Sequence, residues 1–337
     1  MRDKVSSARR IWLRLCMATV LCLGGWISQA SAIPPEAKYV GEKVCLQCHQ
    51  AESKHFGHTT HAKVFRQNPK TDAEKQVCEA CHGPGSLHAP AANNKNRDYL
   101  IGFTKEWGTP IEVQNAQCLN CHSGEQRIFW PGSTHEMNKV ACSDCHNPMA
   151  RFSATGLLKK GSISETCQTC HAQQRAEFRK RSHMPLPEGK MSCEDCHNPH
   201  GSTTRPLLKA DTVNELCYAC HAEKRGPLIW EHAPVRENCL NCHSPHGSNN
   251  DKLLVQTRPY LCLQCHDAIG GHPAALYQNA QTAANVIISP VTGQPVSNST
   301  TSPNVAAFNI RMEGRSCQNC HSQIHGSNHP AGSRFQR

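Results

Sequence analysis

Cys193-Glu194-Asp195-Cys196-His197-Asn198-Pro199-His200-Gly201 is the stretch on which the fold turns. Two thiols three residues apart fall on one side of a single helical turn, and a histidine follows the second. Zinc ribbons and secreted disulfide frameworks also use Cys-x-x-Cys pairs, but neither requires that histidine. Covalent c-type haem attachment does. The thiols add to the two vinyl groups along one porphyrin edge, and the next residue turns its imidazole to the iron. The signature occurs at Cys45/Cys48, Cys78/Cys81, Cys118/Cys121, Cys142/Cys145, Cys167/Cys170, Cys193/Cys196, Cys217/Cys220, Cys239/Cys242, Cys262/Cys265 and Cys317/Cys320. The proximal ligands it supplies are His49, His82, His122, His146, His171, His197, His221, His243, His266 and His321. Histidine is 22 of 337 residues, so a histidine after every one of these pairs does not arise by chance. The chain is expected to carry ten covalently bound haem c groups.

Outward from each signature, the sites fall into five di-haem repeats, at approximately 41–110, 111–160, 161–210, 211–255 and 256–337. Such self-similarity marks an array. In each repeat a ligand-capable residue stands free of the signatures twice. The pairs are His61 and His88, His135 and Met149, His183 and His200, His232 and His246, and His272 and His325. Ten haems need ten sixth ligands, and the repeats offer nine histidines and one methionine. Methionine raises a haem's potential relative to a second histidine. His55, His58 and His329 are spare, and one of them could stand in for Met149. His200 is too close to His197 to reach across the same porphyrin, so it must serve another haem. The same holds for His246 and His325. Which distal residue serves which haem stays open. Met137 and Met184 read as packing residues.

Hydrophobic residues make up 38% of the chain and aromatic ones 5%, too few for an ordinary core of this length. The haems must therefore become the core. The expected fold is a multihaem cytochrome c, elongated and mostly irregular with short α-helices, its five di-haem repeats packed around a row of ten haems. Short helices are expected within Ala172–Arg181 and Glu223–Glu231. With 22 Gly and 21 Pro, turns separate the sites. Ala274–Gly314, rich in Asn, Ser, Thr and Pro, reads as a surface loop.

Residues 1–32 read as a secretory signal peptide, with basic residues up to Arg14, an apolar run to Ile27 and Ala30-Ser31-Ala32 as the cleavage site. Cys16 and Cys22 leave with it. The leader holds five of the basic residues and one acid, so the mature chain carries 31 basic against 25 acidic residues. That mild, dispersed excess has none of the clustering of a nucleic-acid module. The mature chain is expected outside the cytoplasm.

A catalytic haem keeps an open axial position, and here every site ends in histidine with enough further ligands to close all ten. The chain therefore reads as an electron-transfer protein with no catalytic residues. A multihaem oxidoreductase with an open haem is the alternative of another class. Cys217-Tyr-Ala-Cys-His-Ala-Glu-Lys-Arg-Gly-Pro, with Trp230-Glu-His-Ala-Pro and Arg315-Ser-Cys-Gln-Asn-Cys-His-Ser-Gln-Ile-His-Gly-Ser-Asn-His-Pro330, resembles the decahaem cytochromes of the MtrA family. The likeness runs across essentially the whole mature chain. It implies a haem wire seated in an outer-membrane β-barrel porin of the MtrB/MtoB type. Its further partners would be periplasmic or inner-membrane c-type cytochromes, and outside the cell a multihaem cytochrome or Fe(II)/Fe(III) itself. A free periplasmic shuttle to a terminal reductase is the alternative. The family includes iron-reducing (MtrA), iron-oxidising (MtoA) and dimethyl-sulfoxide-linked (DmsE) members, and Met149 tips the reading towards the iron-oxidising MtoA type.

Overall fold

At all ten signatures the histidine N–H donates to the carbonyl of the first cysteine, at 2.9–3.1 Å. Each signature is thus one closed turn, and this turn is the unit from which the chain is built. The structure, a computed structural model, describes residues 33–90, 99–266, 287–288, 295–296 and 316–336. The leader, His272 and most of the Ala274–Gly314 segment lie outside the described residues. The chain divides into two compact units, Met1–Arg127 with Glu136–Gly161, and Ile128–His135 with Ser162–Arg337.

Regular structure is short throughout the described residues. The longest helix, Ile111–Leu119, has nine residues. Helices Ile163–Cys167 and Val213–Tyr218 deliver the chain to the first site of their repeats. Each starts on a hydroxyl cap, with Ser162 Oγ accepting from Glu165 N at 3.1 Å and Thr212 Oγ1 from Glu215 N at 3.1 Å. Such caps satisfy N–H groups that the helix leaves without partners. The expected helix over Ala172–Arg181 forms as Ala172–Glu177. The one over Glu223–Glu231 reduces to a single 3₁₀ turn, Ala222–Lys224. Gly226 and Pro227 end it, because proline disfavours the helical conformation of the residue before it. A minimal antiparallel pair, Ile287–Ile288 with Pro295–Val296, lies within the segment read as a loop.

Second sites share a closing loop. Asn147 N donates to Leu157 O at 2.6 Å, Asn198 N to Leu207 O at 2.8 Å, and Ser244 N to Leu253 O at 2.7 Å. In return Lys159, Lys209 and Val255 donate to the carbonyls of the second cysteines of the same sites, Cys145, Cys196 and Cys242, at 2.9–3.0 Å. Asparagines three residues before a first site clip it to the second. Asn214 Nδ2 donates to Val235 O and Arg236 O, both at 2.9 Å, while its Oδ1 accepts from Cys239 N at 2.8 Å. Asn115 does the same, with Val140 O at 3.2 Å and Cys142 N at 2.8 Å.

Side chains supply little core. Among the described residues only nine hydrophobic side chains are buried, and Phe56, Ala62 and Val77 form their one cluster, with Phe65, Cys78 and Met149 packed against it. Met137 is 54% exposed, so it is not the packing residue expected from the sequence. In the second unit the backbone itself makes close contacts. A Cβ at Gly247 would lie 2.0 Å from Glu177 O, and one at Gly201 2.1 Å from Phe129 O. Next to these glycines, Ser248 bridges Ser182, and Ser327, beside Gly326, bridges Trp230. The His-Gly-Ser element of one repeat thereby docks on the segment preceding the free histidine of the repeat before it.

Candidate haem-binding sites

The signature thiols meet in two alternating ways. First cysteines meet within a repeat: Cys45 with Cys78, Cys118 with Cys142, Cys167 with Cys193, Cys217 with Cys239, and Cys262 with Cys317. Second cysteines approach between repeats, Cys81 to Cys121, Cys196 to Cys220 and Cys242 to Cys265. A hydrogen bond from the partner thiol pulls Cys45 down to about 7 and Cys193 to about 6.

The other second cysteines are Cys48, Cys145, Cys170 and Cys320. Cys48, Cys170 and Cys320 are exposed, as are Cys121, Cys220 and Cys265, whereas every first cysteine is at least partly buried. The physical reason lies in the closing loop. At Cys145 this loop returns to the site, Lys159 N donating to Cys145 O at 2.9 Å, and the residue is partly buried. Cys48, Cys170 and Cys320 are fixed by their own turn, each N–H donating to the carbonyl of its first cysteine at 3.2 Å. The Thr169 hydroxyl also donates to Cys170 Sγ at 3.8 Å. The signature, not burial, marks these cysteines as haem anchors.

Proximal histidines of the second sites are oriented by backbone. His82 Nδ1 bonds Ile101 O at 2.8 Å, His146 Nδ1 Gly156 O at 2.6 Å, and His197 Nδ1 Pro206 O at 2.9 Å. His243 Nδ1 bonds Lys252 O at 2.9 Å and His321 Nδ1 bonds Arg334 O at 2.5 Å. With Nδ1 donating, Nε2 keeps its lone pair for a metal, and the ring plane is fixed. At two first sites a carboxylate takes this place, Glu52 at 3.7 Å from His49 Nδ1 and Glu223 at 3.7 Å from His221 Nδ1.

Six of the proximal histidines face a second imidazole. Ring centroids are 6.3 Å apart for His49–His88, 5.9 Å for His122–His61 and 6.2 Å for His171–His135. They are 6.2 Å apart for His197–His246, His266–His232 and His243–His325. Two imidazoles held through nitrogen by one metal at about 2.0–2.1 Å put their centroids roughly 6 Å apart. The donor set therefore fits haem iron clamped between two histidines. His61 is partly buried, and its buried Nδ1 has no hydrogen-bond partner. Burial, and then His122, holds its imidazole below the ordinary value, in the neutral form that binds metal.

The remaining predicted residues are placed as follows. His183 bonds Lys180 O through Nδ1 at 2.7 Å and Glu188 through Nε2 at 3.0 Å. Met149 sits in the Phe56 cluster. His200 and Met149 occupy the same local turn, each backbone N donating to the side chain of an asparagine two residues earlier, Asn198 at 3.1 Å and Asn147 at 3.0 Å. His55, His58 and His329 are exposed. Sequence reasoning missed the phenylalanines that stand edge-on or tilted to these imidazoles: Phe65 to His61, Phe103 to His82, Phe178 to His246 and Phe335 to His232. No spacing rule marks them in the sequence.

Comparison with known proteins agrees with this construction. The doubled CXXCH motif family matches residues 183–226 and 232–271, and the cytochrome c-type protein NrfB-like family matches residues 78–163. The chain is 41% identical over 297 residues to the multiheme cytochrome MtrA of Shewanella baltica, covering 88% of this chain and 81% of that one. It is 27% identical over 147 residues to cytochrome c-552 of Maridesulfovibrio salexigens, covering 40% of this chain and 26% of that one. Ten haem c signatures, each folded to the same closed turn, and this relationship over most of its length make the chain a multihaem electron-transfer cytochrome of the MtrA family.

Proposed function

We propose that this cytochrome carries electrons across the outer membrane inside a β-barrel porin partner of the MtrB/MtoB type, between periplasmic carriers and donors or acceptors outside the cell. The observation that carries the reading is the alternation of thiol contacts, within repeats at Cys45–Cys78 and between repeats at Cys81–Cys121. Within each of the two units it brings neighbouring sites together, as a chain of close redox centres requires. A bilayer core is about 30 Å thick, too far for one centre and within reach of a row. Among the described residues no helix is long and apolar enough to cross a membrane, and a polar, irregular backbone at membrane depth has to be enclosed in protein.

The haems supply one-electron redox chemistry. The protein's own part is to hold each iron six-coordinate, so that ligands need not move on oxidation or reduction, and to set its potential. In this reading the twenty signature cysteines are the thioether anchors, the exposed Cys48, Cys170 and Cys320 and the loop-covered Cys145 included. The proximal ligands are the ten signature histidines. Their distal partners are His61, His88, His135, His183, His200, His232, His246, His272 and His325, with Met149 or one of His55, His58 and His329 as the tenth. Residues 1–32 direct export and are cleaved after Ala32. Electron flow from extracellular Fe(II) inwards is favoured by a methionine-ligated haem, whose higher potential suits a chain drawing electrons from iron.

Affinity purification from detergent-solubilised outer membranes tests the proposal. Co-elution of a large β-barrel protein in one-to-one amount is expected, and Fe(II) added to that oxidised complex should reduce its haems. Recovery solely from the soluble periplasm would support the shuttle instead.

A further inference from the structure

Five of the six histidine pairs follow a rule set by the repeats, and the sixth, His49–His88, closes within the first repeat, which has no repeat before it. The first site of a repeat faces the free histidine of the preceding repeat, as in His122–His61, His171–His135 and His266–His232. The second site faces the histidine that follows the second site of the next repeat, as in His197–His246 and His243–His325. Applied to the second site of the first repeat, Cys78-x-x-Cys81-His82, the rule points to the residue three beyond His146, where histidine is replaced by Met149.

Three observations support that assignment. Its backbone adopts the turn of His200, through Asn147 in place of Asn198. The closing loop behind it is the same, with Asn147 N on Leu157 O as Asn198 N is on Leu207 O. Its side chain packs on the Phe56–Ala62–Val77 cluster, as does Cys78, the first thiol of the His82 site. Of the spare histidines nearby, His58 lines a recess of about 310 Å³ with Lys63, Arg151 and Ser153.

We infer that Met149 is the sixth ligand of the haem anchored by Cys78 and Cys81, opposite His82, making this the one methionine-ligated, highest-potential haem of the chain. The inference rests on the six-coordinate wire reading above and adds to it the haem's position and identity. A thioether donates less strongly to ferric iron than imidazole does, so the reduced state is favoured.

The test uses the purified ten-haem protein. Near-infrared magnetic circular dichroism of the oxidised form should show a methionine-to-iron charge-transfer band with the intensity of one haem in ten. Met149→His should abolish the band and move one haem's share of a reductive titration to lower potential. Met149→Leu should leave one carbon-monoxide-binding haem, while His58→Ala and His55→Ala should leave the band intact. A Cys78→Ala/Cys81→Ala variant should lose one haem by mass and the band with it. If that variant does not accumulate, a crystal structure of the holoprotein reads the Met149 Sδ–iron bond directly. A wild-type spectrum without the band, or a band that survives loss of the Cys78/Cys81 haem, would overturn the inference. Failure of the wire reading looks different: the wild type would then bind carbon monoxide at several haems, with or without the band.

Discussion

His197 and His246 belong to consecutive repeats, yet their imidazole rings face each other with centroids 6.2 Å apart. In the proposed ligation the distal histidine of one site is carried by the neighbouring repeat, which makes iron coordination and repeat docking one structural event. Phe178 stands edge-on to His246 at 5.5 Å, and Glu177 lies 3.4 Å from its Nδ1. The imidazole that reaches across is therefore itself held in place.

Replacing that histidine should expose iron. His246→Ala is expected to convert one haem of ten from closed to open. A reduced-minus-carbon-monoxide difference spectrum should then show one bound carbon monoxide per molecule against none in the wild type. Wild-type-like inertness would mean that another side chain fills the position.

Docking of the repeats depends on bare backbone. At Gly247 a methyl group would sit 2.0 Å from the carbonyl oxygen of Glu177, and neither backbone can yield without disturbing the Ser182–Ser248 bridge. Gly247→Ala should therefore destabilise the protein by about 1–3 kcal/mol, as overpacking does. The check is the midpoint of thermal unfolding followed by circular dichroism, with a larger drop than for the same change at exposed Gly124, where nothing lies within 4 Å.

Asn214 ties two sites together through three hydrogen bonds. Asn214→Ala leaves the Val235 and Arg236 carbonyls and the Cys239 N–H without this partner. A loss of about 1–3 kcal/mol per stranded group sets the scale. Intact-protein mass spectrometry should reveal a fraction of molecules lacking the haem of Cys239 and Cys242, with the other sites filled. Asn214→Asp keeps the acceptor for Cys239 N and should lose less.

Withholding haem removes most of the interior. With nine buried hydrophobic side chains among the described residues, the apo chain cannot offset its conformational entropy. Expressed without haem attachment and kept reduced, it should show no cooperative thermal transition, whereas the holoprotein should melt cooperatively.

Covalent chemistry made the sites legible. Thioether attachment requires cysteines at a fixed spacing with a histidine next to them, so the ten turns closed by His49 N, His82 N and their counterparts could be read directly. The same spacing says nothing of burial, so the contrast between exposed Cys170 and loop-covered Cys145 had to come from the fold. The expectation that His200, His246 and His325 serve haems other than their neighbours followed from chain reach. Pairings such as His243–His325 did not, because they depend on how repeats dock, and docking rests on backbone contacts at Gly247 and Ser327 that leave only a faint mark in sequence. The carbonyls of Pro206 and Lys252 that orient proximal histidines were invisible for the same reason, since any residue supplies a carbonyl. The helix expected over Glu223–Glu231 failed because Gly226-Pro227 lies inside it.

Transmembrane electron transfer is the central claim, and liposomes test it most directly. The cytochrome with its porin partner should be reconstituted into vesicles loaded with a membrane-impermeant redox dye, and a membrane-impermeant reductant added outside. Rapid reduction of the trapped dye is expected with the complex, and none with the porin alone or with the cytochrome merely added to sealed vesicles. Complete reduction of the haems while the trapped dye stays oxidised would contradict the account.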